Sequence, residues 1–221
     1  MRGDKNMIAS HHEQIESSLL NSSQVPLKKP MNAFIKRGVD LLLSMILLLL
    51  FSPLMLVVCV LIKMTTDGAV IFKQKRIGAN QEQFTIYKFS SMKEGAEYIK
   101  KFTAKNDSRC TPIGRYIRKF GIDELPQLFN VLKGEMSLIG PRPELPYFVD
   151  EFKGKIPQYL CKHEIKPGIT GWAQVNGFRG DTSIEQRIQL DLDYIANWSL
   201  WFDIKILFLT GVKGIVNENA Y

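Results

Sequence analysis

The sequence predicts a mainly helical α+β protein bound to a membrane, and three observations predict it. An uncharged run of 22 residues, Leu41 to Ile62, is long enough to cross a bilayer core; "AVIFKQ" and "FTIYKF" alternate as short strands do; and apolar residues at helical spacing return after residue 112. With 221 residues and 45% apolar content, the chain can bury one sizeable core, so one domain with appendages is expected. A formal charge of +7 fits an anionic leaflet or a phosphorylated ligand. Nucleic acid is not indicated, because zinc-finger spacing, an RNA-binding aromatic signature and a long basic tract are all missing from the sequence. Cys59, Cys110 and Cys161 are odd in number and widely spaced, which points to neither a disulfide framework nor a metal cluster. His11, His12 and His163 lack ligand spacing and read as surface residues.

Residues 1–35 are polar, lack periodicity and close with "VPLKKP", the composition of a mobile tail. Residues 36–63 form the membrane element. Its uncharged run starts too late and is too long for a cleavable signal. Pro53, near the middle, deletes a backbone hydrogen bond and frees the Leu49 carbonyl, for which the Ser52 hydroxyl is a local partner. Basic residues flank both ends: Lys28, Lys29, Lys36 and Arg37 before, Lys63, Lys73, Lys75 and Arg76 after. A straight span would put one cluster outside, whereas a helix bent at Ser52-Pro53 keeps both at the cytoplasmic headgroups. These features alone leave both topologies open.

Residues 64–221 form the rest of the chain, beginning with two strands joined by the turn "IGANQ". Lys73, Lys75, Arg76, Lys88 and Lys93 crowd this hairpin, either as a solvated basic face or as a phosphate site. Leu125, Leu128, Phe129 and Leu132 then mark the apolar face of a helix ended by Gly134. Asp123 stands where an N-cap belongs, with Glu124 in the first turn. Pro126 removes an amide that a cap would use, which leaves one Asp123 oxygen free; the positive end of the helix keeps it ionised and favours a bound phosphate, and a metal ion could bridge the two anions. Arg142, between Pro141 and Pro143, is presented from a stiff loop suited to bidentate phosphate recognition, though Pro-Arg-Pro is also a common turn. "IKPGITGWAQVNGFRG" reads as an ordered loop carrying a binding edge. Trp198, Trp201, Phe202 and Phe208 with Lys205 suit either an interfacial or a core helix.

Five segments in order, "KRGVDLLLSMILLLLFSPLMLVVCVLIK", "IFKQKRIG", "YKFSSM", "IDELPQLFNVLKGEMSLIGPRP" and "KPGITGWAQVNGFRG", resemble the bacterial sugar transferases known as monotopic phosphoglycosyl transferases. The resemblance implies an enzyme of the bacterial cytoplasmic membrane, facing the cytoplasm, that moves a sugar 1-phosphate from a nucleotide diphosphate sugar such as a UDP-hexose to polyprenyl (undecaprenyl) phosphate and releases UMP. It implies Mg2+, held by Asp123 and Glu124, with Asp123 as nucleophile and a covalent aspartyl-phosphosugar intermediate. Arg142, Lys88, Arg118 and Arg179 fall to phosphate or substrate binding, and Ser52-Pro53 to the break of a re-entrant helix, which resolves the topology. A homodimer and downstream glycosyltransferases are expected partners, and exopolysaccharide or capsule priming the expected setting. Ser90 stands where the family commonly carries a cation and receives no role. A short tail implies the short, catalytic-only form. The rival readings are a non-catalytic membrane scaffold, whose expected loss of Asp123, Glu124 or Arg142 is not seen, and a membrane-anchored nucleotide-sugar hydrolase.

Overall fold

The computed structural model describes residues 25–93, 95, 107–180 and 182–216. Its longest element is helix α1, Pro30–Thr65, which starts with a proline at its first turn and runs as one α-helix through Ser52-Pro53, where a break was expected. The polar tail expected to run through residue 35 therefore ends earlier: Val25 is buried in the main core and Pro26–Lys28 forms a 3-10 turn. Residues 1–24 of that tail, with His11 and His12, lie outside the described residues. As the freed carbonyl requires, the Ser52 hydroxyl donates to Leu49 O at 2.9 Å. Most of α1 is exposed and apolar, including Leu42, Ile46, Leu49, Leu50, Leu56 and Val60. Among the described residues it is the one helix long and apolar enough to cross a membrane.

Two cations of the first basic flank, Lys36 and Arg37, turn into the protein, while Lys28 and Lys29 stay exposed. Lys36 is buried and pairs with Asp203 (2.9 Å) and Asp40 (3.3 Å), while Asp40 also accepts from Leu138 N at 3.1 Å. Arg37 donates to Val131 O (2.6 Å) and Leu132 O (3.0 Å), closing the carbonyl end of a helix near the acid pair. Asp40 and Asp203 are both buried and would be uncompensated charges without a cation, and Lys36 supplies that pairing. The far end of α1 packs on the same domain: Val58 and Ile62 join Phe89 and Ile117 in a small second core.

The predicted hairpin is present. Strands β1, Ile71–Ile77, and β2, Gln83–Phe89, pair antiparallel from Ile71 opposite Phe89 to Ile77 opposite Gln83. Its cations divide, with Lys73, Lys75 and Lys93 exposed and Arg76 and Lys88 turned inward. Helix α2, Pro112–Lys119, is capped by Thr111, whose hydroxyl accepts from Gly114 N. Helix α3, Gln127–Lys133, ends as expected at Gly134 in the left-handed conformation. Its buried face differs from the predicted one: Leu128 is inside, but Phe129 is 48% exposed and Asn130 and Val131 are fully buried. Asn130 is tolerated because it is saturated, donating to Thr85 O and Glu135 and accepting from Tyr87 N.

The segment expected to be loop builds a second, parallel pair, β3 (Ser137–Ile139) with β4 (Gly168–Thr170). Its backbones approach so closely that a Cβ on Gly168 would sit 2.1 Å from Gly140 N. Helices α4, Pro146–Phe152, and α5, Trp172–Val175, flank it, followed by α6, Ile184–Ala196, and α7, Leu200–Val216. Trp198 belongs to the core and donates to Asp203 at 3.2 Å, so the aromatic interface narrows to Trp201 and Phe208, which are exposed. His163, expected at the surface, is buried beside Tyr159 in the 3-10 segment Tyr159–Glu164, where burial lowers its pKa to about 4. The three cysteines are unpaired thiols, as their spacing implied.

Candidate active site

Gly121, left-handed at φ 67°, turns the chain out of α2 into a 3-10 turn, Ile122–Glu124. Asp123 does not cap α3; the turn closes through Glu124 N to Gly121 O and Leu125 N to Ile122 O, and Pro126 separates it from Gln127. The acid pair is thereby split, as adjacent residues on a tight turn must be. Glu124 points into a cluster of cations, where its Oε1 accepts from Lys88 Nζ (2.9 Å) and Arg142 Nη2 (2.6 Å) and its Oε2 from Arg142 Nη1 (3.4 Å). Asp123 is 5% exposed, and among the described residues its carboxylate makes no hydrogen bond or ion pair.

Charge follows from this arrangement. Burial and the neighbouring Glu124 push Asp123 up to about 6, and Lys88, Arg118 and Arg142 only partly restrain it. For Glu124 burial works in the same direction, but Arg142 and Lys88 outweigh it and hold the carboxyl well below its usual range. Burial lowers Lys88 to about 8 despite Glu124. Arg179 is lowered by burial and partly restored by Glu124, which places its charge in the same cluster. Arg118 counters the Asp123 charge and donates to Ser91 Oγ at 3.4 Å. The six residues singled out by the sequence thus converge, four in direct or adjacent contact and Arg118 and Arg179 through their fields. Ser52 and Pro53 stand apart, in α1.

Supporting residues were not legible in the sequence. Gln174 is buried, accepts from Arg142 Nη1 at 3.1 Å and donates to Ile169 O at 3.2 Å, which fixes the guanidinium plane from β4 and α5. Arg76 crosses from β1 to Pro143 O at 3.1 Å. Behind the loop, Glu144 pairs with Arg187 (3.2 Å) and Lys162 (3.6 Å), and Lys162 with Asp191 (3.3 Å). Arg187 also donates to Gly180 O and Thr182 Oγ1, joining the Arg142 loop to the loop that carries Arg179. A Glu directly after Pro-Arg-Pro was the one available signal.

Among the described residues there is no group of three metal-ligating side chains. Two adjacent carboxylates, one of them without a partner and destabilised by the other's charge, nevertheless suit Mg2+, which commonly takes one or two carboxylates and completes its shell with phosphate and water.

The profile of the bacterial sugar transferase family matches residues 31–217. The chain is 44% identical over 196 residues to a UDP-glucose:undecaprenyl-phosphate glucose-1-phosphate transferase of Escherichia coli (strain K12), covering 86% of this chain and 42% of that protein. It is 50% identical over 203 residues to a UDP-N-acetylgalactosamine-undecaprenyl-phosphate N-acetylgalactosaminephosphotransferase of Aeromonas hydrophila, covering 90% and 46%. It is also 40% identical over 235 residues to an undecaprenyl-phosphate galactose phosphotransferase of Salmonella typhimurium (strain LT2), covering 99% and 47%. The chain spans less than half the length of these three relatives, whose names carry three different sugars.

Proposed function

The chain belongs to the bacterial sugar transferase family, and from that premise we propose that it transfers a sugar 1-phosphate from a UDP-sugar to polyprenyl phosphate, releasing UMP. The observation that carries this reading is the divided acid pair: Glu124 is committed to two cations, while Asp123, its neighbour in the same 3-10 turn, is buried without a partner. An unpartnered carboxylate beside a surplus of positive charge is a nucleophile facing an anion-binding site.

In the proposed reaction an Asp123 oxygen attacks the β-phosphorus of the donor. The bond from that phosphorus to the bridging oxygen breaks, UMP leaves with the electron pair, and an aspartyl-phosphosugar remains. A phosphate oxygen of the polyprenyl phosphate then attacks the same phosphorus, and the Asp123 carboxylate departs, leaving a polyprenyl diphosphate sugar. Arg142, held flat by Glu124 and Gln174, is the bidentate phosphate ligand; Lys88, Arg118 and Arg179 add positive charge around it. Glu124 is unsuited to carry a proton, because a carboxyl held well below its usual range stays ionised throughout turnover. Its role is to orient Lys88 and Arg142. Mg2+, bound by Asp123 and Glu124, would supply charge neutralisation on the diphosphate.

Both ends of α1 bind one domain, Lys36 and Arg37 at one end and Val58 and Ile62 at the other. This supports the re-entrant topology, with α1 entering and leaving one leaflet at the cytoplasmic face around Ser52-Pro53, since a crossing helix would carry one end about 30 Å away. A homodimer and contact with downstream glycosyltransferases complete the proposal. The purified chain, magnesium, undecaprenyl phosphate and a panel of UDP-sugars test it, with formation of a lipid diphosphate sugar and equimolar UMP expected. Release of free sugar phosphate without lipid product would make it a hydrolase, and inactivity with every donor a scaffold.

A further inference from the structure

A groove of about 230 Å³ runs from Glu124 and Arg179 to the membrane helix. Its walls are Leu47 of α1, Leu128 of α3, Leu138 of β3, Ile169 of β4 and Leu207 of α7. The polar groups along it are already engaged with one another: Thr170 and Thr210 hydroxyls share a hydrogen bond at 2.8 Å, and Gln174 is taken by Arg142 and Ile169 O. A nucleoside, which needs unspent donors and acceptors for base and ribose, finds none offered by these groups. Arg179 is different, because its Nε is buried without a hydrogen-bond partner at the polar end of the groove. Lys119, exposed, also lines the groove.

We infer that this groove is the acceptor site, taking the first isoprene units of polyprenyl phosphate along Leu47, Ile169 and Leu207 and its phosphate at Arg179 and Lys119. This rests on the transferase reading above and adds to it the place where the lipid lies. Charge complementarity selects the occupant: one anionic end beside the acids' cations, and an otherwise apolar length. At about 30 Å³ per non-hydrogen atom, the volume per molecule of liquid water, the groove holds roughly one or two five-carbon units. It is bounded by the two helices that show apolar faces outward, Ile46, Leu49 and Leu50 on α1 and Ile204 and Phe208 on α7, so the remaining chain can continue into lipid without crossing a polar surface.

A polyprenyl phosphate carrying a photoreactive group on its first isoprene unit, added to the full chain in nanodiscs, reads the site directly and needs no turnover. Crosslinks are expected in the peptides containing Leu47 and Leu207, removed by excess undecaprenyl phosphate. Leu207→Trp, which fills a half-buried position, should reduce crosslinking at least tenfold and raise the acceptor KM by a similar factor, with donor KM changed less than about threefold. Ile204→Trp, on the exposed side of the same helix, should leave both near wild type. Crosslinks that fall elsewhere, or that survive Leu207→Trp, overturn the assignment, as does a donor KM raised as much as the acceptor KM. Specific crosslinking in a chain that transfers no sugar would refute the transferase reading and leave the lipid site standing.

Discussion

Glu124 and Glu144 are both buried carboxylates held by one lysine and one arginine, yet the clusters around them differ in what they leave over. Around Glu144, Lys162 and Arg187 meet Glu144 and Asp191, so two cations pair off with two acids. Around Glu124, Lys88 and Arg142 are both spent on one acid, Asp123 is left without a partner, and Arg118 and Arg179 add their fields. Four cations then act on two acids. Both acids of the Glu144 cluster have an ion-pair partner, and the cluster ties the Arg142 and Arg179 loops together, whereas in the Glu124 cluster one acid has none, which the proposed diphosphate donor would exploit. A buried acid without an ion pair, beside cations spent on its neighbour, marks a candidate ligand site in a way that a directly paired network does not.

The largest expected effect separates the two acids of the open cluster. Asp123→Asn keeps the shape but removes the proposed nucleophile, and turnover should fall by at least about three orders of magnitude in a donor-consumption assay. The closed cluster should respond in stability instead. Glu144→Gln strands Lys162 and Arg187 without their shared acid and should cost about 3 kcal/mol, lowering Tm by roughly 6–12 °C for a chain of this size, as thermal unfolding will register. If Glu144→Gln instead keeps Tm and abolishes turnover, the comparison between the clusters is wrong.

Arg142→Lys retains charge but loses the fork that spans Glu124 and Gln174, and kcat/KM should fall about thirty- to a hundredfold with Tm little changed. Removing the open cluster's free acid should have the opposite sign to Glu144→Gln in stability. Because the folded pKa of Asp123 is raised, its stabilising effect is full below about 4 and is lost as pH climbs through about 6. At neutral pH its ionised form therefore opposes folding, and Asp123→Asn should raise Tm by a few degrees, worth on the order of 2 kcal/mol. The smallest effect is on pH dependence: kcat/KM should gain up to tenfold per unit on approaching about pH 6, as Asp123 ionises, and decline above about pH 8 as Lys88 loses its proton.

Local chemistry made part of this legible. The Ser52 to Leu49 bond, the hairpin and the Gly134 stop follow from spacing and proline in the sequence, and Asp123, Glu124 and Arg142 stood out there, whereas Lys88, Arg118 and Arg179 were assigned roles only through the family resemblance. What stayed hidden depends on contacts between distant segments. Lys36 and Arg37 looked like a surface flank until Asp203 and the Val131 and Leu132 carbonyls, more than 90 residues away, were placed beside them. Gly168 lies in a segment that read as loop, yet it and Gly140 permit the close β3–β4 approach on which the Arg142 loop stands. Phe129 kept the right period for a core helix but faces outward, because Asn130 is claimed by Thr85 and Tyr87 and rotates α3.

The central claim is that Asp123 is unpartnered because it becomes bonded to phosphorus. Incubating the full chain with magnesium and a UDP-sugar labelled in the sugar, in the absence of lipid, and mapping the label by mass spectrometry tests it most directly. Label on the peptide containing Asp123, absent in Asp123→Asn, retained in Glu144→Gln and discharged by polyprenyl phosphate, is the predicted result. Transfer to lipid that proceeds at full rate with no label ever covalent, and with UMP released only when both substrates are bound, would contradict it and make the acid pair a metal site for direct transfer.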